Sequence, residues 1–187
     1  MPEKALFSKY MEELSSLRRS LHRMPEPSGQ ERQTGDFVYR YLCELHPDEC
    51  IRLAGTGVKA VFLAQPSSKA IAFRADMDAL PIQEQTGARY ASTQTGWMHA
   101  CGHDSHTAIL MIAARYVKEH ISQFKGKIVM IFQPAEELPP GGAIDILNGH
   151  FLDDLGIDEI YALHCDPTVP LGKILIVKGV LMAAVDN

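Results

Sequence analysis

The sequence predicts an α/β fold in which helices cover a largely parallel sheet. The main observation is that short apolar runs bounded by turn residues, which are typical of buried strands, alternate along the chain with segments of helical periodicity. The second is composition, because 187 residues that are 46% hydrophobic and 22% charged can bury one sizeable core. No internal repeat and no low-complexity linker interrupts this pattern.

Two amphipathic helices are predicted to open the fold. The first runs from Lys4 to Arg23 and the second from Gln30 to Leu45, each with apolar residues at helical spacing. Between them, the segment from Met24 to Gly29 holds two prolines and a glycine, which end the first helix and prepare the cap of the second.

Five buried strands and two further helices are predicted after Gly57. The strands are the apolar runs Val58 to Ala64, Ala70 to Ala75, Lys127 to Phe132, Leu155 to Leu163 and Lys173 to Val177. The third helix carries an apolar face made by Ile109, Ile112, Ala113 and Tyr116. Asp104 or Ser105 is well placed to cap this helix, and a shorter helical stretch is predicted from Gly142 to Asn148.

Charge and composition argue against nucleic acid and membrane partners. The formal net charge is −5, and no basic run is interleaved with aromatic residues. The stretch from Met1 to Tyr10 is polar, and no long uncharged apolar segment follows, so we expect a cytoplasmic protein. The four cysteines are then expected to be free thiols, with Cys43 and Cys50 acting as small buried apolar residues.

Positions 99 to 106 read HACGHDSH, which places three histidines, a cysteine and an aspartate together. Thiolate and imidazole bind borderline-soft divalent cations most strongly, and Cys101 and His103 are spaced to reach one ion from a tight turn. The alternative is a polar loop whose histidines face water. Further ligand types downstream, in Glu136, Glu137 and His164, weaken that alternative, although a single histidine after a strand is often only a hydrogen-bonded core residue.

Acidic residues follow two of the predicted strands. An extended chain puts Arg74, Asp76 and Asp78 on one face. An ordinary ion pair explains Arg74 and Asp76 as well as a catalytic role does, whereas for Asp78 we favour support of a metal-binding imidazole or a general base. Adjacent glutamates such as Glu136 and Glu137 are most often a solvated pair, but beside a metal one can be a ligand and the other can act on water.

Four motifs carry a family resemblance. They are Phe73 to Pro81, Met98 to Asp104, Gln133 to Glu137 with Gly141 to Ala143, and Leu163 to His164. In this order they resemble the M20 metallopeptidase superfamily, and within it the amidohydrolase branch of hippurate hydrolases, N-acyl-amino-acid deacylases and auxin-conjugate hydrolases. The segment from Leu21 to Ser28 also resembles the leading helix and turn of the family.

The resemblance implies a three-layer zinc-peptidase-like catalytic domain and, in the full-length protein, two divalent metal ions, which could be Zn, Mn, Co or Ni. The implied metal ligands are Cys101, His103, Glu137 and His164. Glu136 would be the general base, and Asp78 would support the metal centre. Asp76 stands where other branches place a ligand histidine, so its role stays open. Asp104 and His106 fit best as residues that support the ligands.

The resemblance further implies a metal-dependent amidohydrolase that cleaves N-acyl amino acids with metal-activated water. Family members are considerably longer, so residues 1–187 would be the amino-terminal part of the catalytic domain, without the lid or dimerisation domain and the carboxy-terminal part. This chain alone would then be weakly active or inactive, and the longer protein would be a homodimer. The alternative is a structural or regulatory zinc module held by Cys101, His103 and His164.

Overall fold

The computed structural model describes residues 2–179, with side chains from residue 8 onwards, and it confirms the α/β class. Five strands form one mixed sheet in the order β1-β2-β4-β3-β5. They are β1 (Glu49–Leu53), β2 (Gly57–Leu63), β3 (Gln65–Asp76), β4 (Lys125–Gln133) and β5 (Glu159–Ala162). The pairs β1-β2 and β2-β4 are antiparallel, whereas β4-β3 and β3-β5 are parallel.

Four α-helices cover the two faces of the sheet. They are α1 (Pro2–His22), α2 (Arg32–Glu44), α3 (His103–Glu119) and α4 (Gly142–Asn148). Alternate residues of β4 point to opposite faces, as a strand requires. Met130 and Phe132 belong to the larger core with α1, α2 and α3, whereas Val129 and Ile131 join Ile146 of α4 in a smaller core. The domain therefore has three layers.

The helices agree with the sequence-based predictions, and α4 has the predicted bounds. The strands agree less well. Asp153–Leu155 is a short 3-10 helix, and Gly156 follows in a left-handed conformation, so β5 is shorter than the predicted Leu155 to Leu163. The predicted strand from Lys173 to Val177 is wrong, because these residues are irregular and exposed, with Ile176 at 87%. An apolar run forms a strand only where a neighbouring strand supplies hydrogen bonds.

Strand β1 was not predicted from the sequence. Its sequence, ECIRL, has no apolar run, and four of its five residues are only half-buried because it lies at the edge of the sheet. Cys50 belongs to this strand, and both Cys43 and Cys50 are half-buried rather than buried. Within the described residues all four cysteines are free thiols, and none of the helices is long and apolar enough to cross a lipid bilayer.

The other edge strand, β5, exposes apolar side chains, and we expect it to cause self-association. Ile160 is 58% exposed, Tyr161 is 52% exposed, and one edge of β5 has no partner strand within residues 2–179. Such an edge is a template for pairing with another chain, and a charged residue blocks it. We therefore expect Ile160→Lys to lower the weight-average mass of the chain, measured by sedimentation equilibrium over a concentration series.

Leu147→Lys is the matched control, because Leu147 is 62% exposed but lies on α4 and not on a strand edge. We expect it to leave self-association unchanged. If both variants lowered the mass equally, general surface hydrophobicity and not the β5 edge would be the cause.

Candidate metal centre

The metal-ligand types of positions 99 to 106 are arranged by a sharp turn into α3. Gly102 has a φ of 92°, a left-handed conformation that favours glycine, and it occupies the N-cap position without a side-chain cap. A Cβ on Gly102 would also lie 3.3 Å from the Cβ of Cys165. The turn places Cys101 before the helix and His103 in its first turn. Asp104 and Ser105 lie inside the helix, so the prediction that one of them is the cap was wrong.

His103 lies at the middle of the candidate site, completely buried. Its Nδ1 is 3.2 Å from Oδ1 of Asp78, which leaves Nε2 facing the other way. Nε2 lies 3.6 Å from Oε1 of Glu137, 3.7 Å from Oδ2 of Asp76 and 4.0 Å from Oε2 of Glu136. Burial alone would lower the pKa of His103, but the hydrogen bond with Asp78 and the nearby carboxylates raise it. These surroundings therefore favour the protonated, positively charged form of the His103 imidazole.

Cys101 and His164 meet on one side of His103. Sγ of Cys101 is 3.3 Å from Nε2 of His164, and Nδ1 of His164 is 2.8 Å from the carbonyl oxygen of Cys165. A backbone acceptor at Nδ1 directs Nε2 towards a metal ion, as in many metal sites. Burial and the carboxylate of Glu137 raise the pKa of the Cys101 thiol to about 12. Metal binding would therefore release a proton from this thiol.

Among the described residues, two buried atoms at the centre of the site have no hydrogen-bond partner. They are Nε2 of His103 and Oε1 of Glu137, which face each other at 3.6 Å. Within the part of the chain that the structure describes, three groups of candidate ligand atoms, each within a 4.8 Å span, share His103. These groups are Cys101, His103 and His164; His103, Glu136 and Glu137; and Asp76, His103 and His106. Thiolate, imidazole and carboxylate donors of this kind fit Zn²⁺ and related divalent ions.

Asp78 connects the site to the rest of the fold. Besides His103, its carboxylate accepts hydrogen bonds from the Ser28 hydroxyl at 2.7 Å and from the backbone N–H of Glu137 at 2.9 Å. Burial would raise the pKa of Asp78, but these hydrogen bonds lower it to about 2. The Asp78 carboxylate therefore orients two candidate ligands: it contacts the side chain of His103 and the backbone N–H of Glu137.

Asp76 and His106 form a buried pair beside the site. Nδ1 of His106 is 2.7 Å from Oδ1 of Asp76, and Nε2 accepts the backbone N–H of Cys165 at 2.9 Å. His106 thus carries its proton on Nδ1, and both ring nitrogens are engaged. Arg74 also pairs with Asp76 at 2.9 Å, as the ion-pair alternative predicted. Burial would raise the pKa of Asp76, but His106, His103 and Arg74 lower it.

A second network of ion pairs, centred on Asp104, lies beside the turn into α3. The sequence did not predict it. Oδ2 of Asp104 is 2.7 Å from Nδ1 of His22 and 2.9 Å from Nε of Arg18, and Nε2 of His22 is 3.3 Å from Glu84. The hydrogen bond with Asp104 is the main cause of a raised pKa at His22. His99 lies nearby with both ring nitrogens unpartnered among the described residues, and burial lowers its pKa to about 4.

The structure thus brings the four predicted ligands, Cys101, His103, Glu137 and His164, to one place, together with Asp78 and Glu136. The carboxyl end of β3 leads to Asp78, that of β4 to Glu136 and Glu137, and that of β5 to His164. Sequence reasoning missed the contributions of Ser28 and Glu31, which come from the α1-α2 connection. Only the motif from Leu21 to Ser28 hinted at this connection.

Comparison with known proteins gives several matches. A family model described as Peptidase family M20/M25/M40 matches residues 72–180. The N-acetyl-L-cysteine deacetylase of Bacillus subtilis (strain 168) is 45% identical over 175 residues, which are 94% of this chain and 41% of the deacetylase. The N-acyl-L-amino acid amidohydrolase of Geobacillus stearothermophilus is 41% identical over 184 residues, which are 98% of this chain and 49% of the amidohydrolase.

A solved structure is also similar. The YXEP protein of Bacillus subtilis, described as a dinuclear metal binding peptidase from the M20 family, superposes with a TM-score of 0.82 and 40% sequence identity. The match covers 88% of this chain and 46% of that chain. The chain therefore spans less than half the length of the relatives it matches.

Proposed function

Because this chain belongs to the peptidase family M20/M25/M40, we propose that the site around His103 binds divalent metal ions and hydrolyses the amide bond of N-acyl amino acids. The observation that carries the proposal is a pair of buried atoms, Nε2 of His103 and Oε1 of Glu137, that have no hydrogen-bond partner among the described residues. Cys101 and His164 group with the same histidine. Relatives named as a deacetylase and an amidohydrolase support the substrate class.

We assign the ligands and the base from their exposure and contacts. Cys101, His103, Glu137 and His164 would be ligands of the divalent ions, with Asp78 orienting His103. The ions, when bound, would polarise the amide carbonyl and lower the pKa of water. The Glu136 side chain is 41% exposed and that of Glu137 is 22% exposed. This difference supports Glu137 as the ligand and Glu136 as the residue that meets water and substrate.

Glu136 would act as general base and then as general acid. It would take a proton from the attacking water and deliver it to the nitrogen of the leaving amine, so no covalent acyl-enzyme is needed. Thiolate with imidazole suits zinc, whereas the carboxylates also admit manganese, cobalt or nickel. For the compartment we propose the cytoplasm, where the four cysteines would stay reduced.

A structural zinc site is the second candidate. Sγ of Cys101 lies 3.3 Å from Nε2 of His164, and both group with His103, so these three side chains could hold one ion without a carboxylate. A closed structural site would make no use of Glu136. We favour the enzyme because Glu137 adds to the same centre a buried carboxylate oxygen that has no partner in the described part of the chain.

Metal content and metal-dependent hydrolysis test the proposal. After equilibration with Zn²⁺ or Mn²⁺ and desalting, we expect the purified 187-residue chain to retain one or two ions. Because the chain covers 49% of the Geobacillus stearothermophilus amidohydrolase, hydrolysis is best assayed in a chimera in which this chain replaces the matching part of that enzyme. We call this protein the amidohydrolase chimera.

We expect the amidohydrolase chimera to hydrolyse N-acetyl amino acids, to lose this activity on chelation and to regain it with added metal. The 187-residue chain alone is expected to be much less active. Retention of no metal by either protein would contradict the proposal, and metal without hydrolysis in the chimera would favour the structural zinc site.

A further inference from the structure

Glu31 is a buried glutamate whose side chain reaches the loop that carries Glu136. It is the N-cap residue of α2 and is 0% exposed, but its carboxylate does not cap that helix. Oε1 accepts the backbone N–H groups of Gly29 at 2.8 Å and of Ala135 at 2.7 Å, and Oε2 accepts the hydroxyl of Thr56 at 2.6 Å. The hydrogen bond to Ala135 therefore holds the residue that immediately precedes Glu136.

Ala135 needs such an anchor because of its backbone conformation. Its φ is 50°, in the left-handed region that is unfavourable for a residue with a Cβ. Its N–H donates to Glu31, and its carbonyl oxygen accepts the N–H of Gly142 at 2.8 Å. Unfavourable conformations persist only where the surroundings hold them on several sides. The two hydrogen bonds supply that restraint at the residue that sets the direction of the glutamate loop, residues 134–142.

The same connection between α1 and α2 also reaches the glutamate loop indirectly, through Asp78. Ser28 donates to Asp78, and Asp78 accepts the N–H of Glu137. The glutamates are thus held before Glu136 by Glu31 and at Glu137 by Asp78. The α1-α2 connection therefore restrains the glutamate loop directly at Ala135 and, through Asp78, at Glu137.

We propose that Glu31 is a positioning residue for the glutamate loop. By holding Ala135 in its left-handed conformation, it directs the Glu136 and Glu137 side chains towards His103. The proposal rests on the proposed function, since it takes Glu136 and Glu137 as parts of the metal centre. Glu31 itself acts through the backbone and is not a metal ligand.

Glu26 offers a matched control in the same connection. It is also a buried carboxylate, at 8% exposure, and it caps α2 by accepting the backbone N–H groups of Gln33 at 3.1 Å and Thr34 at 2.8 Å. In the described part of the chain its side chain makes no hydrogen bond to residues 134–142. Glu26→Ala therefore removes a buried carboxylate without releasing the glutamate loop.

Zn²⁺ affinity of the 187-residue chain, measured by competition with a chromogenic chelator, is the first readout. We expect Glu31→Ala to weaken binding about tenfold, the effect of losing a group that orients metal ligands. Glu31→Gln is expected to stay within about threefold of wild type, because its amide oxygen can accept both N–H groups while its NH₂ donates to Thr56. Glu26→Ala is expected to bind as wild type does.

Two results would overturn the proposal. Equal weakening by Glu26→Ala and Glu31→Ala would mean general loosening of the connection. A Glu31→Gln variant as weak as Glu31→Ala would mean that the charge of Glu31, and not its hydrogen bonds, affects the centre.

Amide hydrogen exchange on the metal-free chain is the second readout and separates this proposal from the proposed function. The informative amide is that of Glu137, which donates to Asp78 and not to Glu31. We expect Glu31→Ala to speed its exchange at least tenfold, whereas Glu26→Ala speeds exchange only near Thr34. Unchanged exchange at Glu137 refutes the positioning role. If the wild-type chain binds no metal, the proposed function fails, and this exchange result alone decides the role of Glu31.

Discussion

Replacing Glu136 by glutamine is expected to leave metal binding unchanged and to lower kcat for N-acyl amino acid hydrolysis by roughly 10³-fold. Glutamine has nearly the same shape, but it cannot take a proton from water at neutral pH. The Glu136 side chain lies 4.0 Å from Nε2 of His103 and is 41% exposed, so the substitution should disturb neither packing nor the neighbouring ligands. Steady-state kinetics and metal analysis of the amidohydrolase chimera are the measurements.

Glu137→Gln and Glu44→Gln are the two comparison variants. Glu137→Gln should weaken metal binding, because it neutralises a carboxylate whose buried oxygen faces His103. Glu44 is an exposed residue of α2, and its substitution should change neither property. Turnover by the Glu136→Gln chimera within a few-fold of wild type would contradict the assignment of Glu136 as the general base.

Replacing His103 by alanine is expected to lower the Zn²⁺ affinity of the 187-residue chain by more than roughly 100-fold. Loss of a residue that only supports a metal ligand lowers affinity by about 10- to 100-fold, and loss of a ligand should exceed that. His103 is the one residue shared by all three candidate ligand groups among the described residues. Its loss also leaves the carboxylates of Asp78 and Glu137 facing a cavity. Affinity and the Zn²⁺-induced rise in Tm are the measurements, since a ligand that binds only the folded chain raises Tm.

Because His103 is completely buried, His103→Gln accompanies the alanine variant. The amide of glutamine can still donate to Asp78, so this variant should fold and yet show no Zn²⁺-induced rise in Tm. His150→Ala, an exposed histidine that pairs only with Asp153 among the described residues, should behave as wild type. If His103→Gln showed the same Zn²⁺-induced rise in Tm as wild type, His103 would not be a metal ligand.

The parts of the fold and site that could be predicted share one physical basis. Buried strands need apolar runs, and the carboxyl ends of parallel strands meet at one edge of a sheet. Asp78, Glu137 and His164 all follow such ends, so the sequence alone indicated that they converge. The Cys101 to His103 spacing added two candidate ligands at the start of a helix, where a short turn keeps both side chains together.

The parts that could not be predicted depend on contacts between distant segments. Strand β1 forms because β2 pairs with it, not because ECIRL is a strong strand sequence. Likewise, nothing in the local sequence distinguishes Glu31 from Glu26, yet one reaches Ala135 and the other caps α2. The N-cap of α3 was assigned to Asp104 or Ser105 because Gly102 has no side chain to reveal its conformation.

The parallel half of the sheet also determines when the proposed metal centre can form. Strands β3, β4 and β5 are far apart in the sequence, so bringing their carboxyl ends together requires closing long loops, which is slow and comes late in folding. The candidate ligands Glu137 and His164 reach His103 only after this step. Interactions absent from the folding transition state act mainly on the unfolding rate. Bound metal should therefore lengthen the lifetime of the folded chain without hastening its formation.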